Sequence, residues 1–318
     1  MNNNLYKKIW KEIELSETIT IFTHINPDGD TIGTSLALKG LININYPNII
    51  VKISGDIYPY NLNFLESNDE VSNEFIENSL AILVDSSSIA RTFDKRILLS
   101  EKIIKIDHHH PEGNEWFLVV DGDNYPATGE VIYEMIKELD LNFDYNIAKN
   151  IFVSIWTDTS GLVERNPTKL THEAIEWTYE NGVDKNTMII NMELNDEDSN
   201  KVMELISDSK IENNIVYKVN DEIVSNDVYR PATEKFFKKF NKEVYIFSTK
   251  INNNQYRVGL RSKKYDVSKV AEKFGGGGHV TSSGTIADNK DIVFKIIEYI
   301  KGDLNESNKA DCQSDKEF

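Results

Sequence analysis

From Ile19 onward the chain alternates short apolar runs with longer stretches of helical periodicity. ITIFTH, NIIVKIS, LAILVDSSS, KIIKIDHHH and WFLVVD read as strands. Their near-continuous apolar character predicts burial on both faces of a mainly parallel sheet. Apolar positions recur at helical spacing over 32–41, 128–139, 146–156 and 172–180, which gives the βαβ rhythm of an α/β domain with flanking helices, here occupying 1–190. Residues 191–212 carry an acidic turn and one amphipathic helix, and read as a helical linker. A smaller mixed α/β unit is expected over 213–302. It opens on the strand NIVYKV and continues with a hairpin in which KEVYIFSTKI and QYRVGLRS join across Asn252 to Asn254, residues that tolerate positive φ. The helix DVSKVAEKF then ends in GGGGH, and a last helix runs over about 291–300. The tail 303–318 is polar and is expected to be disordered. Phe236, Phe237 and Phe240 share a helical spacing that predicts core.

A length of 318 residues suits two domains, and 40% hydrophobic residues supply a sizeable core. The single cysteine, Cys312, excludes an internal disulfide and cysteine-based zinc folds. The first residues lack the apolar stretch of a secretion signal, and no apolar run reaches the ~18 residues of a membrane span, so a cytoplasmic protein is expected. With 35 Lys and Arg against 52 Asp and Glu, the formal charge is −17, which argues against a grip on long nucleic acid. One stretch departs from this balance: 257–273 holds six basic and two acidic residues.

Histidine placement carries the chemistry. His108, His109 and His110 form one contiguous run, and His24 and His279 lie beside Asp or Gly clusters; His172, at the start of a predicted helix, reads as a helix-end or surface residue. His24, Asp28 and Asp30 fall on the loop after the first strand, where open α/β sheets bind ligands. Asp28 and Asp30, separated by Gly29, send carboxylates in different directions and suit two neighbouring cations, with Gly29 letting the backbone turn tightly. An Asp-rich turn capping a helix would account for this segment taken alone. The next strands end in Asp85 and in Asp107 followed by the histidines, and Asp158 follows an apolar helical stretch. Imidazole and carboxylate donors without thiolate favour Mn²⁺, and admit Mg²⁺, Co²⁺ or Fe²⁺. Gly275, Gly276, Gly277 and Gly278 offer backbone that can approach an anion closely, although glycine runs are also common punctuation at helix exits. Arg91 either reaches a substrate phosphate or forms a surface ion pair, and Thr128 is expected to cap the helix it begins.

At these residues the sequence resembles the DHH superfamily of phosphoesterases over nearly its whole length. HINPDGD, VDSSS, DHHH and TDTSG resemble its four motifs in order, and FGGGGH resembles the signature of the accessory DHHA1 domain. Size and domain spacing are similar to the oligoribonuclease and phosphoadenosine-phosphate phosphatase (nanoRNase) branch. The resemblance implies that His24, Asp28 and Asp85 hold one cation and that Asp30, Asp85, His108 and Asp158 hold a second, with Asp85 bridging. It implies that Asp107 orients a histidine from behind, and that His109 and His110 face the phosphate or leaving group as catalytic residues beside Asp85. The active site would lie in the cleft between the domains. Val280-Thr281-Ser282 departs from the commoner continuation after the glycine-histidine signature.

Two divalent cations would then activate water against very short oligoribonucleotides or 3′-phosphoadenosine 5′-phosphate. Cyclic di-AMP or linear di-adenylate is the alternative substrate, and a nucleotide sensor without turnover the alternative class. Small adenine nucleotides or short RNA are the expected partners, without membrane or long nucleic acid; a homodimer is compatible. Arg261 and His279, ending a strand and the glycine run, are expected to bind the nucleotide together with Gly275 to Gly278.

Overall fold

The computed structural model describes residues 3–110, 112–120 and 125–314. The chain divides into two units, Met1–Glu193 and Leu194–Phe318. The first opens with α1 (Asn3–Glu14), which sequence analysis leaves unassigned although Tyr6, Ile9, Trp10 and Ile13 recur at helical spacing and are buried. Then come β1 (Thr18–Phe22), α2 (Gly29–Asn45), β2 (Ile50–Ser54), α3 (Asn73–Glu77), β3 (Leu80–Val84), β4 (Ile103–Ile106) and β5 (Leu118–Val120). Each apolar run expected as a strand is one. They form a parallel sheet in the order β2-β1-β3-β4-β5. The helices α4 (Thr128–Leu139), α5 (Tyr145–Asp158), α6 (Lys169–Glu180) and α7 (Lys185–Asn191) complete the unit.

Burial explains the sequence pattern. β3 and β4 are buried at every residue, because apolar material covers both faces. Ile19, Ile21, Ile82, Ile104 and Ile106 share a core with residues of α1, α2, α4 and α5, whereas Phe22, Ala81, Leu83 and Ile103 pack with Ile76 and Ile97 in a second cluster. The chain leaves β1 toward β2 on one side and continues from β3 toward β5 on the other. The carboxyl ends of β1 and β3 therefore flank a topological switch point, where such sheets bind ligands. Gly29 does not make the tight turn that the sequence leads one to expect of it. It begins α2 where α5 passes so close that a Cβ would stand 2.3 Å from Thr157 Oγ1.

The second unit comprises α8 (Asp196–Ile206), β6 (Lys210–Glu212), β7 (Ile215–Ile223), α9 (Asn226–Lys239), β8 (Val244–Lys250), β9 (Tyr256–Ser262), α10 (Val267–Lys273), β10 (Gly277–His279), β11 (Ser282–Ala287) and α11 (Lys290–Ser314). Its sheet runs β10-β11-β9-β8-β7-β6, parallel only between β7 and β8. α8 lies in the segment read as a linker, but Val202, Leu205 and Ile206 are buried with Phe236, Tyr245 and Phe247, so it helps to build the core of this unit. Phe236 is fully buried, as its helical spacing predicts, with Phe237 and Phe240 packed around it.

The hairpin turn does not use positive φ. Asn252 Oδ1 instead accepts the backbone N–H groups of Asn254 and Gln255, at 3.0 and 2.9 Å. The backbone of α11 continues helical to Ser314 where composition predicts disorder from 303; no proline interrupts it after Gly302. Among the described residues no helix is long and apolar enough to cross a membrane.

Candidate metal centre

Four segments of the first unit converge. His24 follows β1, Asp28 caps α2 by accepting the Thr31 N–H at 3.3 Å, and Asp30 lies in the first turn of α2. Asp85 follows β3 in left-handed backbone, φ 50°. His108 follows β4, and Asp158 is the last residue of α5.

His24 Nε2 stands 3.5 Å from Asp28 Oδ1 and 3.4 Å from Asp85 Oδ2. His108 Nε2 stands 3.5 Å from Asp85 Oδ1, 3.5 Å from Asp158 Oδ2 and 3.8 Å from Asp30 Oδ2. Asp85 thus turns one oxygen toward each histidine. Ligand atoms about 2.1 Å from one divalent cation stand roughly 3 to 3.5 Å apart, so these separations approach those of a coordination shell. The sets His24, Asp28, Asp85 and Asp30, His108, Asp158 each bring their ligand atoms within 4.8 Å of one another.

Neighbouring groups hold the donors in place. His24 Nδ1 donates to the Ile25 carbonyl at 2.9 Å and His108 Nδ1 to the Tyr125 carbonyl at 3.0 Å, which leaves each Nε2 aimed inward. The segment around Arg91 braces His24: Ile25 N–H donates to Arg91 O at 2.9 Å and Phe93 N–H to Thr23 O at 3.0 Å. Thr128 does not cap α4. It is the first helical residue; its N–H donates to Asp30 Oδ2 at 2.8 Å and its hydroxyl to Asp85 Oδ1 at 3.1 Å. Gly129 N–H and the hydroxyls of Thr34 and Ser154 also donate to Asp30, so a helix N-terminus stabilises a carboxylate of the cluster.

Charge is short of balance in the way a cation corrects. Burial pushes the Asp30 carboxyl up to about 6, with Asp85 adding to it against His108, Ser154 and Thr128. Burial, then Asp30, also raises Asp158 well above the carboxylate range. Burial opposes charge on Asp85 as well, yet His108 and His24 outweigh it and hold Asp85 well below that range. Despite burial, the surrounding carboxylates raise His108 to about 10 and His24 well above its ordinary value. A cluster that draws protons onto imidazoles and carboxyls attracts positive charge. Asp158 Oδ2, shielded from solvent, accepts no hydrogen bond among the described residues. Nitrogen and oxygen donors with an orphaned carboxylate oxygen fit divalent cations.

Asp107 sits behind the cluster, fully buried. It accepts a hydrogen bond from His109 Nδ1 at 2.8 Å and pairs with the Lys105 ammonium. His109 lies edge-on to His108, ring centroids 4.1 Å apart, and 3.7 Å from Asp85 Oδ1. His110 and the Arg91 side chain are exposed, and neither joins a metal-capable group among the described residues. Sequence reasoning does not single out Lys105, Ser154 or Arg165, whose Nη1 lies 3.2 Å from Asp158 Oδ2. Lys105 lay visible as a cation inside the apolar run KIIKID, whereas Ser154 and Arg165 carried no such signal.

In the second unit Arg261 lies on β9, its guanidinium 5.0 Å over the Phe237 ring. Backbone register sets Arg261 opposite Ser282 and Ser282 opposite His279, one row across three strands; the His279 side chain lies outside the described residues. The glycine run is partly strand rather than loop. A Cβ on Gly276 or Gly278 would strike the backbone of β11, whereas Gly275 and Gly277 border open space.

The family model for the DHH family, N-terminal domain, matches residues 18–155, and the model for the DHHA1 domain matches 212–306. A Streptococcus mutans protein named probable bifunctional oligoribonuclease and PAP phosphatase NrnA is 27% identical, over 93% of this chain and 99% of that protein. The Bacillus subtilis protein named bifunctional oligoribonuclease and PAP phosphatase NrnA is 28% identical, over 86% of this chain and 90% of its own. A crystal structure of an exopolyphosphatase-related protein from Bacteroides fragilis shares the fold, with TM-score 0.82 at 19% identity over 93% of this chain and 95% of that one.

Proposed function

We propose, for a chain that belongs to the DHH family and carries a DHHA1 domain, hydrolysis of very short oligoribonucleotides and of 3′-phosphoadenosine 5′-phosphate with two Mn²⁺ ions. The observation that carries this reading is Asp85, whose two oxygens face two separate donor sets at the switch point of the sheet. It agrees with the names borne by the relatives above. In this reading His24, Asp28 and Asp85 hold one cation, and Asp30, Asp85, His108 and Asp158 the other. Bound there, divalent cations supply hydroxide near neutral pH and neutralise charge on phosphorus. His109, with Nδ1 held by Asp107, keeps Nε2 to give a proton to the leaving oxygen as the P–O bond breaks. Arg261 and the open glycines hold the nucleotide phosphate.

The test is a product analysis with Mn²⁺ over 3′-phosphoadenosine 5′-phosphate, linear and cyclic di-adenylate, and RNA of two to five nucleotides. A net charge of −17 offers no long basic track, so RNA of about 20 nucleotides should be degraded much more slowly than these at equal ends. Equal rates on long and short RNA, or turnover confined to di-adenylates, would overturn the substrate assignment. Arg261→Ala should raise KM for nucleotides, with kcat/KM down roughly ten- to a hundredfold for one lost charge-assisted contact. Hydrolysis of bis-p-nitrophenyl phosphate should change little, and a parallel loss on both substrates would mean that Arg261 only braces the sheet.

A further inference from the structure

Asp158 ends α5, where the helix dipole disfavours a carboxylate, and its Oδ2 is 3.2 Å from Arg165 Nη1. That contact lacks hydrogen-bond geometry: Asp158 Oδ2 accepts no hydrogen bond, and Arg165 donates none among the described residues. It is a loose ion pair between a mostly buried carboxylate and a half-exposed guanidinium, whose side chains are 15% and 46% exposed.

The backbone that delivers Arg165 is wound tightly. Ser160, Leu162, Arg165 and Asn166 all lie in the left-handed region, with φ of 48°, 69°, 59° and 48°. Buried Thr159 anchors one end by donating to Ile155 O and accepting the Leu162 N–H, and the Thr168–Thr171 capping box anchors the other. Non-glycine residues are kept in this conformation where a position must be held. Lys105, which also lies near the cluster, is fully buried and committed to Asp107, so it cannot serve an incoming anion.

We infer that Arg165 is a phosphate-binding residue held in reserve by Asp158: a cation that takes the Asp158 carboxylate releases the guanidinium to a non-bridging oxygen of the substrate phosphate. This rests on the two-cation phosphoesterase reading above. A guanidinium presents a planar fork suited to phosphate, and after the exchange its half-exposed donors remain beside Asp158.

The two roles predict opposite signs in one variant. Arg165→Met removes the competitor for Asp158, so Mn²⁺ alone, titrated calorimetrically into metal-free protein, should bind about fivefold more tightly at the affected site, as for a partly exposed ion pair. The KM for 3′-phosphoadenosine 5′-phosphate should rise roughly tenfold or more, with kcat changed much less. Arg165→Lys, which keeps the charge without the fork, should restore the Mn²⁺ affinity of the wild type and only part of the KM. Lys169→Ala, at an exposed neighbour, should change neither. If Arg165 merely braces the Asp158 loop, Arg165→Met weakens Mn²⁺ binding, and that result, or no change in either quantity, overturns the inference. Failure of the underlying reading looks different: wild-type protein would take up no Mn²⁺ that Asp158→Ala abolishes, whatever stands at 165.

Discussion

Asp85→Ala is expected to lower kcat/KM with Mn²⁺ by roughly a thousandfold or more while the protein stays folded. Each Asp85 oxygen faces a different histidine, at 3.4 and 3.5 Å, so one truncation strips a donor from both sets. A loss of about 2 kcal/mol of metal or transition-state stabilisation at each of two cations multiplies to that factor. Opposing effects on stability offset one another. Alanine is less content than aspartate at φ 50°, a cost of about 1 kcal/mol, and His24 and His108 lose a carboxylate partner, while removing a buried carboxylate relieves repulsion of Asp30 and Asp158. Asp85→Asn, which tolerates the left-handed backbone, should lose activity comparably with even less effect on melting. Turnover, bound metal by mass spectrometry and thermal melting, taken on both variants, form the measurement. Near-normal activity with two ions still bound would remove Asp85 from its shared position.

Lys105→Met should cost about 3 kcal/mol or more of folding stability, the largest effect expected of a substitution outside the donor sets. Lys105 and Asp107 are both fully buried and paired, and methionine would leave the Asp107 carboxylate with the His109 N–H and no adjacent fixed charge. Breaking one side of such a pair leaves an uncompensated buried charge, whereas replacing both partners costs far less. The double variant Lys105→Met/Asp107→Asn should therefore recover much of the loss in urea unfolding.

The pH dependence follows from Asp107. Burial opposes its ionisation, but His109 and Lys105 outweigh burial and hold it below the usual carboxylate range. A depressed carboxylate contributes stability above its unfolded value, about 3.9, and loses it as pH falls through the folded value. The gap between wild type and Lys105→Met should accordingly narrow as pH drops below about 4. A single variant within about 1 kcal/mol of wild type, or a double variant no better than the single, would show that Lys105 is accommodated by solvent or by Trp116 instead.

The strands and the donors of the candidate site were legible for one shared reason. A parallel strand buried on both faces is apolar almost throughout, so LAILV stands out, as does IIKI despite its one lysine, and the polar residue that ends each run marks the carboxyl end of the strand. The sequence pattern therefore places His24, Asp85 and His108 at the carboxyl end of one sheet, after its three central strands. Order in the chain also brought Asp158 into the same motif set, although its helix only ends beside the others in three dimensions. The first helix and the role of the segment after 191 were less legible. α1 is strongly amphipathic but stands before the alternation of strands and helices that begins at Ile19, and the acidic first turn of α8 masks Val202, Leu205 and Ile206.

Where a distant element intervenes, local pattern points to the wrong partner. Thr128 looked like a cap because threonine at a helix start usually satisfies that helix; instead its N–H and hydroxyl serve Asp30 and Asp85, 98 and 43 residues away in sequence. Gly29 looked like a turn residue, but its missing Cβ makes room for Thr157 of α5. Lys105 is visible in the sequence only as a cation within an apolar run, and the sheet alone buries it against Asp107. What the amino-acid order determined by itself is what depends on periodicity and on residue type: the strands, the helices, and which side chains can bind a cation. What tertiary structure alone decided is which oxygen faces which nitrogen, which charges are buried, and that Arg165 meets Asp158, because those depend on separations across the sheet and between helices that no local pattern encodes.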